Sequence, residues 1–333
     1  MAELSIAVVR DPLVESIHHV SAAVVTADGH LLARAGNPDL VTYWRSASKP
    51  FQLYPLVADG GVERFGIDRE MLALACSSHN AEPMHRTIAA RWLTAVGLSE
   101  TDLACGGHPS LWPALADTMI RDEVQATPLW SNCSGNHAAL LGLARLHQWP
   151  TAGYEAFPHP VQQRVATTVA EWSALPTDEL VWGVDGCTAA AVALSLRGMA
   201  RAYAQLAIAG DAAAVLIRDA MMHEPYVVAG AERLDTTLME AWPLRVMAKT
   251  GAEGVYSAAL PELGLGIAVK VEDGDSRSAP LALVAVLEQV VGVFGGGRSW
   301  DFAPLERWRA PEIRNTRGAV TGRYEVRGAL QRV

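Results

Sequence analysis

The chain has 333 residues, half of them hydrophobic and 19% charged, and its 36 acidic and 27 basic side chains leave a formal net charge of −9. That composition excludes a disordered or low-complexity chain. With no basic tract to neutralise a phosphate backbone, it also argues against a nucleic-acid partner. At about 150 residues per domain as a soft prior, the length allows one large domain or two lobes.

The N-terminal stretch MAELSIAVVRDP lacks a basic segment followed by a long apolar one, so no secretory signal is read there. Val20 to Thr26 and Leu31 to Ala35 are apolar-rich runs joined around Asp28-Gly29, a strong hairpin signal, and Asn37-Pro38 closes the second. Phe51 to Val57 reads as a buried helix that Pro50 opens or Pro55 kinks. The apolar Met71 to Ala75 runs into a small polar turn, Ser77-Ser78-His79-Asn80. Met84 to Val96 and Met199 to Ala207 have helical spacing, and Ala189 to Leu196 is a small-residue, helix-compatible run. Val255 to Leu260 and Leu265 to Val271 flank the turn Pro261-Glu262-Leu263-Gly264 as a second hairpin, with Leu281 to Val293 an apolar helix packing on it.

The longest apolar run, Ala279 to Leu287, is ended by Glu288 and falls far short of the roughly 18 to 20 residues that span a bilayer. The chain therefore reads as soluble and cytoplasmic, without a membrane partner. There is no internal repeat and no linker-like segment. Strands at both ends enclosing a helical middle, roughly residues 60 to 240, predict an α+β fold in which the terminal strands form one antiparallel sheet packed with helices.

Three short motifs carry chemistry. Ser46 stands three residues before Lys49, and on a helical turn that spacing brings side chains to roughly 5 to 6 Å at Cβ, within reach for a deprotonated lysine to activate the hydroxyl. The plain alternative is that Ser46 or Ser48 caps a helix and Lys49 is solvated. Ser78-His79-Asn80 supplies a second serine, and Lys249-Thr250-Gly251 a second lysine just before the late hairpin. S-x-x-K, then serine with asparagine two residues on, then K-T-G is the order in which penicillin-binding proteins and serine β-lactamases present their acyl-transfer groups. A dry pocket and a second nearby cation both favour a neutral lysine amine, so Lys249 facing Lys49 is read as the source of free base and Ser78 as a proton relay.

The four cysteines, Cys76, Cys105, Cys133 and Cys187, lie too far apart for a disulfide framework in a chain of this size. Cys133 in SNCSGNHAALL and Cys187 in VDGCTAAA each sit near a glycine at the start of a small-residue run, and His137 falls one helical turn after Cys133. They are either metal-ligating thiolates or buried packing residues.

Taken together, RSASK at 45–49, CSSHN at 76–80, CGGHPS at 105–110, SNCSG at 131–135, VDGC at 184–187 and KTGAEG at 249–254 resemble the asparaginase II family, the Rhizobium-type thermolabile L-asparaginases. The similarity spans nearly the whole chain. It implies a single domain over residues 1–333 with the serine β-lactamase and glutaminase fold, and hydrolysis of L-asparagine to aspartate and ammonia. It implies two Ser-Lys pairs, Ser46 with Lys49 and Ser78 with Lys249, a homodimer, and zinc held by two cysteines and a lysine, the cysteines matching Cys133 and Cys187. Arg45, His137 and Asp185 are the candidates for gripping the amino-acid end of a substrate. The chain departs from this pattern where the zinc lysine would stand, since it reads Cys133-Ser134-Gly135-Asn136-His137. The metal site is then empty, weak, or completed by His137. Two rival readings are an amidase or acyltransferase acting on another small amide, and a non-catalytic amino-acid-binding homologue.

Overall fold

The strands near the two ends of the chain carry β-branched residues, and they pair with each other in the computed structural model, which describes residues 3–333. Leu4–Arg10 lies antiparallel to Val320–Gly328, with Leu4 opposite Gly328 and Val9 opposite Arg323, and on its other side antiparallel to Leu13–Thr26. The chain divides into two units. One comprises the segment up to Thr42, Leu194–Ile208 and Thr237–Val333.

Its centre is a nine-stranded sheet running Glu312–Arg314, Val320–Gly328, Leu4–Arg10, Leu13–Thr26, Leu265–Val271, Val255–Leu260 and Met247–Thr250, with Leu31–Ala35 also paired to Leu13–Thr26 and Gln331–Arg332 to Leu31–Ala35. Both hairpins expected from the sequence are present, and their turns use left-handed glycines, Gly29 at φ 94° and Gly264 at φ 63°. Helices Leu196–Ile208 and Ser278–Phe294 pack on the sheet. A Cβ on Gly266 would stand 1.8 Å from the Ala200 carbonyl oxygen, so strand and helix meet this closely only because residue 266 has no side chain.

The second unit, Tyr43–Ala193 and Ala209–Thr236, is mostly helical. Helix Lys49–Ala58 follows a 3-10 turn at Arg45–Ser48, has Pro50 in its first turn where no N–H is needed, and tolerates Pro55 inside. Ser134–Leu146, Pro160–Ser173 and Ala212–His223 pack around it, and Arg69–Ala75 packs on Pro83–Ala95, Ser134–Leu146 and Ala212–His223. Trp44 and Phe51 are fully buried and stack at 4.9 Å between centroids. Burial of a phenylalanine of this kind stabilises by about 1.5–3 kcal/mol.

One expected run has a different structure. Ala190–Ser195, within the stretch read as helix-compatible, is a strand paired antiparallel with Val181–Val184, Val184 opposite Ala190 and Val181 opposite Ala193. Ladder hydrogen bonds to a neighbouring strand outweigh the helix preference of alanine. Among the described residues no single helix is long and apolar enough to cross a membrane.

Candidate active site

The corner before helix Lys49–Ala58 sets the first group. Arg45 has φ 55°, a left-handed conformation that an L side chain resists by roughly 1–2 kcal/mol. Ser48 stands at the N-cap, but its hydroxyl turns back to donate to the Arg45 carbonyl at 2.7 Å and accepts from Gln52 Nε2 at 2.7 Å. Lys49 therefore starts the helix pointing inward and is only 2% exposed. Its Nζ donates to the Ser77 carbonyl, to Ser78 Oγ at 3.3 Å and to Cys133 Sγ at 3.2 Å. A solvated lysine at this position is excluded. Ser46 is half-buried, and among the described residues its hydroxyl makes no hydrogen bond.

The Ser77–Asn80 loop is clamped from behind. Ser78 and Asn80 donate their backbone N–H groups to the Val228 and Ala229 carbonyls, each at 3.0 Å. Arg233 holds the Ser78 carbonyl at 3.3 Å and Asn80 Oδ1 at 3.1 Å. His79 Nδ1 accepts from the Ala81 N–H at 3.0 Å, so Nε2 carries the proton and donates to Ser134 Oγ at 3.0 Å. Burial, the stacked His85 and the Lys49 charge all push the His79 pKa well down, and the ring stays neutral.

Cys133 is the N-cap of helix Ser134–Leu146, whose approach to helix Arg69–Ala75 requires Gly135: a Cβ there would lie 2.5 Å from the Leu74 carbonyl oxygen. Cys133 Sγ lies 3.3 Å from the Asn132 side-chain amide, which itself reaches His108 Nε2 at 3.2 Å. The neighbouring Cys187 thiol pushes the Cys133 pKa down; burial opposes this, and the Lys49 charge adds to the lowering. The neighbouring Cys133 sulfur and burial push Cys187 up. On the turn before Cys187, Asp185 accepts from Arg45 Nε at 3.2 Å and Nη2 at 2.9 Å, and from the Gly186 N–H at 2.6 Å. Burial would raise the Asp185 pKa, but these donors and the Lys49 charge overcome it and hold the carboxyl below its ordinary range.

His137 is fully buried against Tyr154. The Tyr154 oxygen accepts from the Ala104 N–H at 3.0 Å, so its hydroxyl donates to His137 Nδ1 at 2.6 Å. That fixes the proton on Nε2, which has no hydrogen-bond partner among the described residues. Burial, followed by the Lys49 charge, pushes the His137 pKa down to about 3. Asn136 is 2% exposed and its Nδ2 is likewise unpartnered among the described residues.

Of the residues expected from the sequence, the structure joins Lys49, Ser78 and Cys133 by hydrogen bonds, sets Cys187 near Cys133, and joins Arg45 to Asp185. Lys249 belongs to the other unit, buried in strand Met247–Thr250 opposite Ser257, and its Nζ donates to the Thr250 carbonyl at 2.9 Å. Ser77, Asn132, His108 and Tyr154 also shape the cluster and were not singled out. Ser77, His108 and Asn132 sit inside quoted motifs, whereas no spacing in the sequence ties Tyr154 to His137.

A tetrahedral zinc site takes thiolate, imidazole or carboxylate donors. Here two thiols are present, Asn136 offers an amide, and His137 turns a protonated Nε2 away from the ligand role. Among the described residues no group of three His, Cys, Asp or Glu side chains gathers to hold a metal. The residues do not fit the metal.

The family profile described as L-asparaginase II matches residues 6–326. No curated protein matches the chain. Among solved structures, the chain is similar to a candidate β-lactamase from Bacteroides dorei DSM 17855 at TM-score 0.40 and 13% identity, over 75% of this chain and 84% of that one. It is also similar to Mglu in its tris and glutamate form at TM-score 0.38 and 18% identity, over 84% of this chain and 61% of that one. A β-lactamase from Mycobacterium bovis aligns at TM-score 0.35 and 12% identity, over 83% of this chain and 94% of that one.

Proposed function

Because the chain belongs to the L-asparaginase II family, and with it to the amide-hydrolysing enzymes, we propose that it converts L-asparagine to L-aspartate and ammonia. The observation that carries the reading is Lys49: a buried amine three residues after a half-buried serine, hydrogen-bonded to the hydroxyl of a second serine.

In this reading Ser46 Oγ attacks the side-chain amide carbon while Lys49, in its amine form, takes the hydroxyl proton. The tetrahedral intermediate collapses by breaking the C–N bond. The nitrogen leaves as ammonia with a proton delivered from Lys49 through Ser78, whose Oγ lies 3.3 Å from Lys49 Nζ. Water then attacks the β-aspartyl ester on Ser46 with Lys49 again as base, which releases aspartate and restores the serine. Backbone N–H groups near Ser46 are assigned to the developing oxyanion. The Arg45–Asp185 pair offers a cation for the substrate carboxylate and an anion for its ammonium, and the depressed Asp185 pKa keeps that anion charged at neutral pH. His137 stays neutral and lines this end of the site. A homodimeric, cytoplasmic enzyme is part of the same proposal and rests on the family resemblance.

Ammonia release from L-asparagine by the wild-type protein, with Ser46→Ala beside it, tests the reading. Turnover that vanishes in the variant, with a β-aspartyl adduct on Ser46 after acid quench and mass spectrometry, supports it. Folded wild-type protein that releases no ammonia from asparagine sinks it. In that case turnover of L-glutamine or a β-aspartyl peptide would favour an amidase with a different substrate, and saturable binding without turnover a silent amino-acid-binding homologue.

A further inference from the structure

We infer that this chain carries no resident zinc on Cys133 and Cys187, and that the Lys49 side chain occupies the place beside Cys133. The inference concerns metal content and does not depend on which amide is hydrolysed.

Three features of the molecule carry it. Position 136, one helical turn beyond Cys133 in helix Ser134–Leu146, holds a buried asparagine. A side-chain amide offers zinc at best a weak neutral oxygen beside thiolates. The adjacent imidazole does not replace the missing ligand. Its Nδ1 is taken by the Tyr154 hydroxyl at 2.6 Å, and because that hydroxyl is held as a donor by the Ala104 N–H, the lone pair at Nε2 is covered by a proton. In zinc sites the non-ligating nitrogen normally donates to an acceptor, which frees the other nitrogen for the metal; here the polarity is reversed.

The sulfur itself is already surrounded. Cys133 Sγ lies 3.2 Å from Lys49 Nζ and 3.3 Å from the Asn132 amide oxygen. A zinc ion bridging the two sulfurs would need both thiols deprotonated and would have to displace Lys49 Nζ from Cys133, with Arg45 committed to Asp185 and no acidic side chain completing a ligand set among the described residues. These hydrogen bonds satisfy Cys133 without a metal.

The test is the metal content of the full-length protein purified from zinc-supplemented cells, together with the optical spectrum after addition of cobalt(II) to the reduced protein. Substoichiometric zinc and no cobalt–thiolate charge-transfer band are expected for wild type. Asn136→Lys should bind zinc at least about 100-fold more tightly and show the band, since even outer-shell changes alter metal affinity by about 10–100-fold. Asn136→Asp, the same size as the native residue, guards against a lysine that the buried position rejects, and should shift in the same direction. One zinc per chain in wild type overturns the inference. Loss of that zinc on His137→Ala would show a Cys-Cys-His site instead. Folded Asn136→Lys and Asn136→Asp proteins that gain no metal would overturn the assignment of Asn136 as the residue that excludes it.

Discussion

Ser46 lies half-buried on a single 3-10 turn behind a left-handed arginine, with no hydrogen bond to its hydroxyl among the described residues, whereas Ser78 is buried in a loop held by backbone bonds to Val228 and Ala229 and by Arg233. Lys49 is three residues from the first and 29 from the second, yet its Nζ is hydrogen-bonded to the second. In the proposed reaction the difference suits two jobs for one residue type. A nucleophile must be reachable and unspent in hydrogen bonds, while a proton relay must be held at a fixed distance from its donor. The backbone strain at Arg45 falls on the reachable serine's side, as strain tends to at sites where geometry is over-determined by the surrounding fold.

The largest expected effect breaks the comparison at its first member. Ser46→Ala should lower ammonia release by about 10⁴-fold or more, the scale on which loss of a nucleophile acts, with the unfolding midpoint almost unchanged. Ser78→Ala should cost less, about 10²–10⁴-fold, and should leave a β-aspartyl adduct still formed on Ser46. If the adduct maps to Ser78 in the wild type, the roles are reversed.

Lys49→Met tests what the two serines share. Turnover should fall about as far as in Ser46→Ala, and because the Ser77 carbonyl, Ser78 Oγ and Cys133 Sγ lose their buried donor, the fold should also be destabilised by about 1–3 kcal/mol, read by urea unfolding. A thiol-reactive probe should also label Cys133 more slowly in this variant, since the Lys49 charge lowers its pKa. An unchanged labelling rate would show that the Cys187 thiol alone sets the reactivity of Cys133.

Arg45→Lys sharpens the other end of the site. It should raise KM by about 10-fold with a smaller effect on kcat, because a lysine cannot keep the two-point hold on Asp185. Asp185→Asn adds a pH signature. The folded carboxyl has its pKa below the ordinary value, so its ionisation stabilises the fold above that ordinary value, and the contribution is lost as pH falls through the depressed one. Unfolding followed between neutral and acidic pH should show that loss in wild type and not in Asp185→Asn.

The smallest effect on chemistry belongs to Gly135→Ala, whose Cβ would meet the Leu74 carbonyl. It should destabilise by about 1–3 kcal/mol, read by urea unfolding, and reduce activity through displacement of Cys133.

Much of the fold was legible because its signals are local. The hairpins at Asp28-Gly29 and Pro261–Gly264, and the helices at Met84 to Val96, Met199 to Ala207 and Leu281 to Val293, follow from turn chemistry and apolar period. The strand Ala190–Ser195 did not, because a run of alanines satisfies a helix equally well until a partner strand is present. The strands Leu4–Arg10 and Val320–Gly328 were hidden for a related reason: each is specified by the other across the length of the chain.

The sequence by itself determined which chemistry is available: two serines and two lysines in acyl-transfer order, two cysteines, and an asparagine where a zinc lysine is expected. These are covalent facts, and short-range spacing is enough to display them. Only the tertiary structure decided that Lys49 is buried and bonded to Ser78 and Cys133, that Arg45 is spent on Asp185, and that Tyr154 fixes the proton of His137. Those choices depend on which distant segments meet and on which polar groups lose water together, and no one-dimensional spacing encodes that.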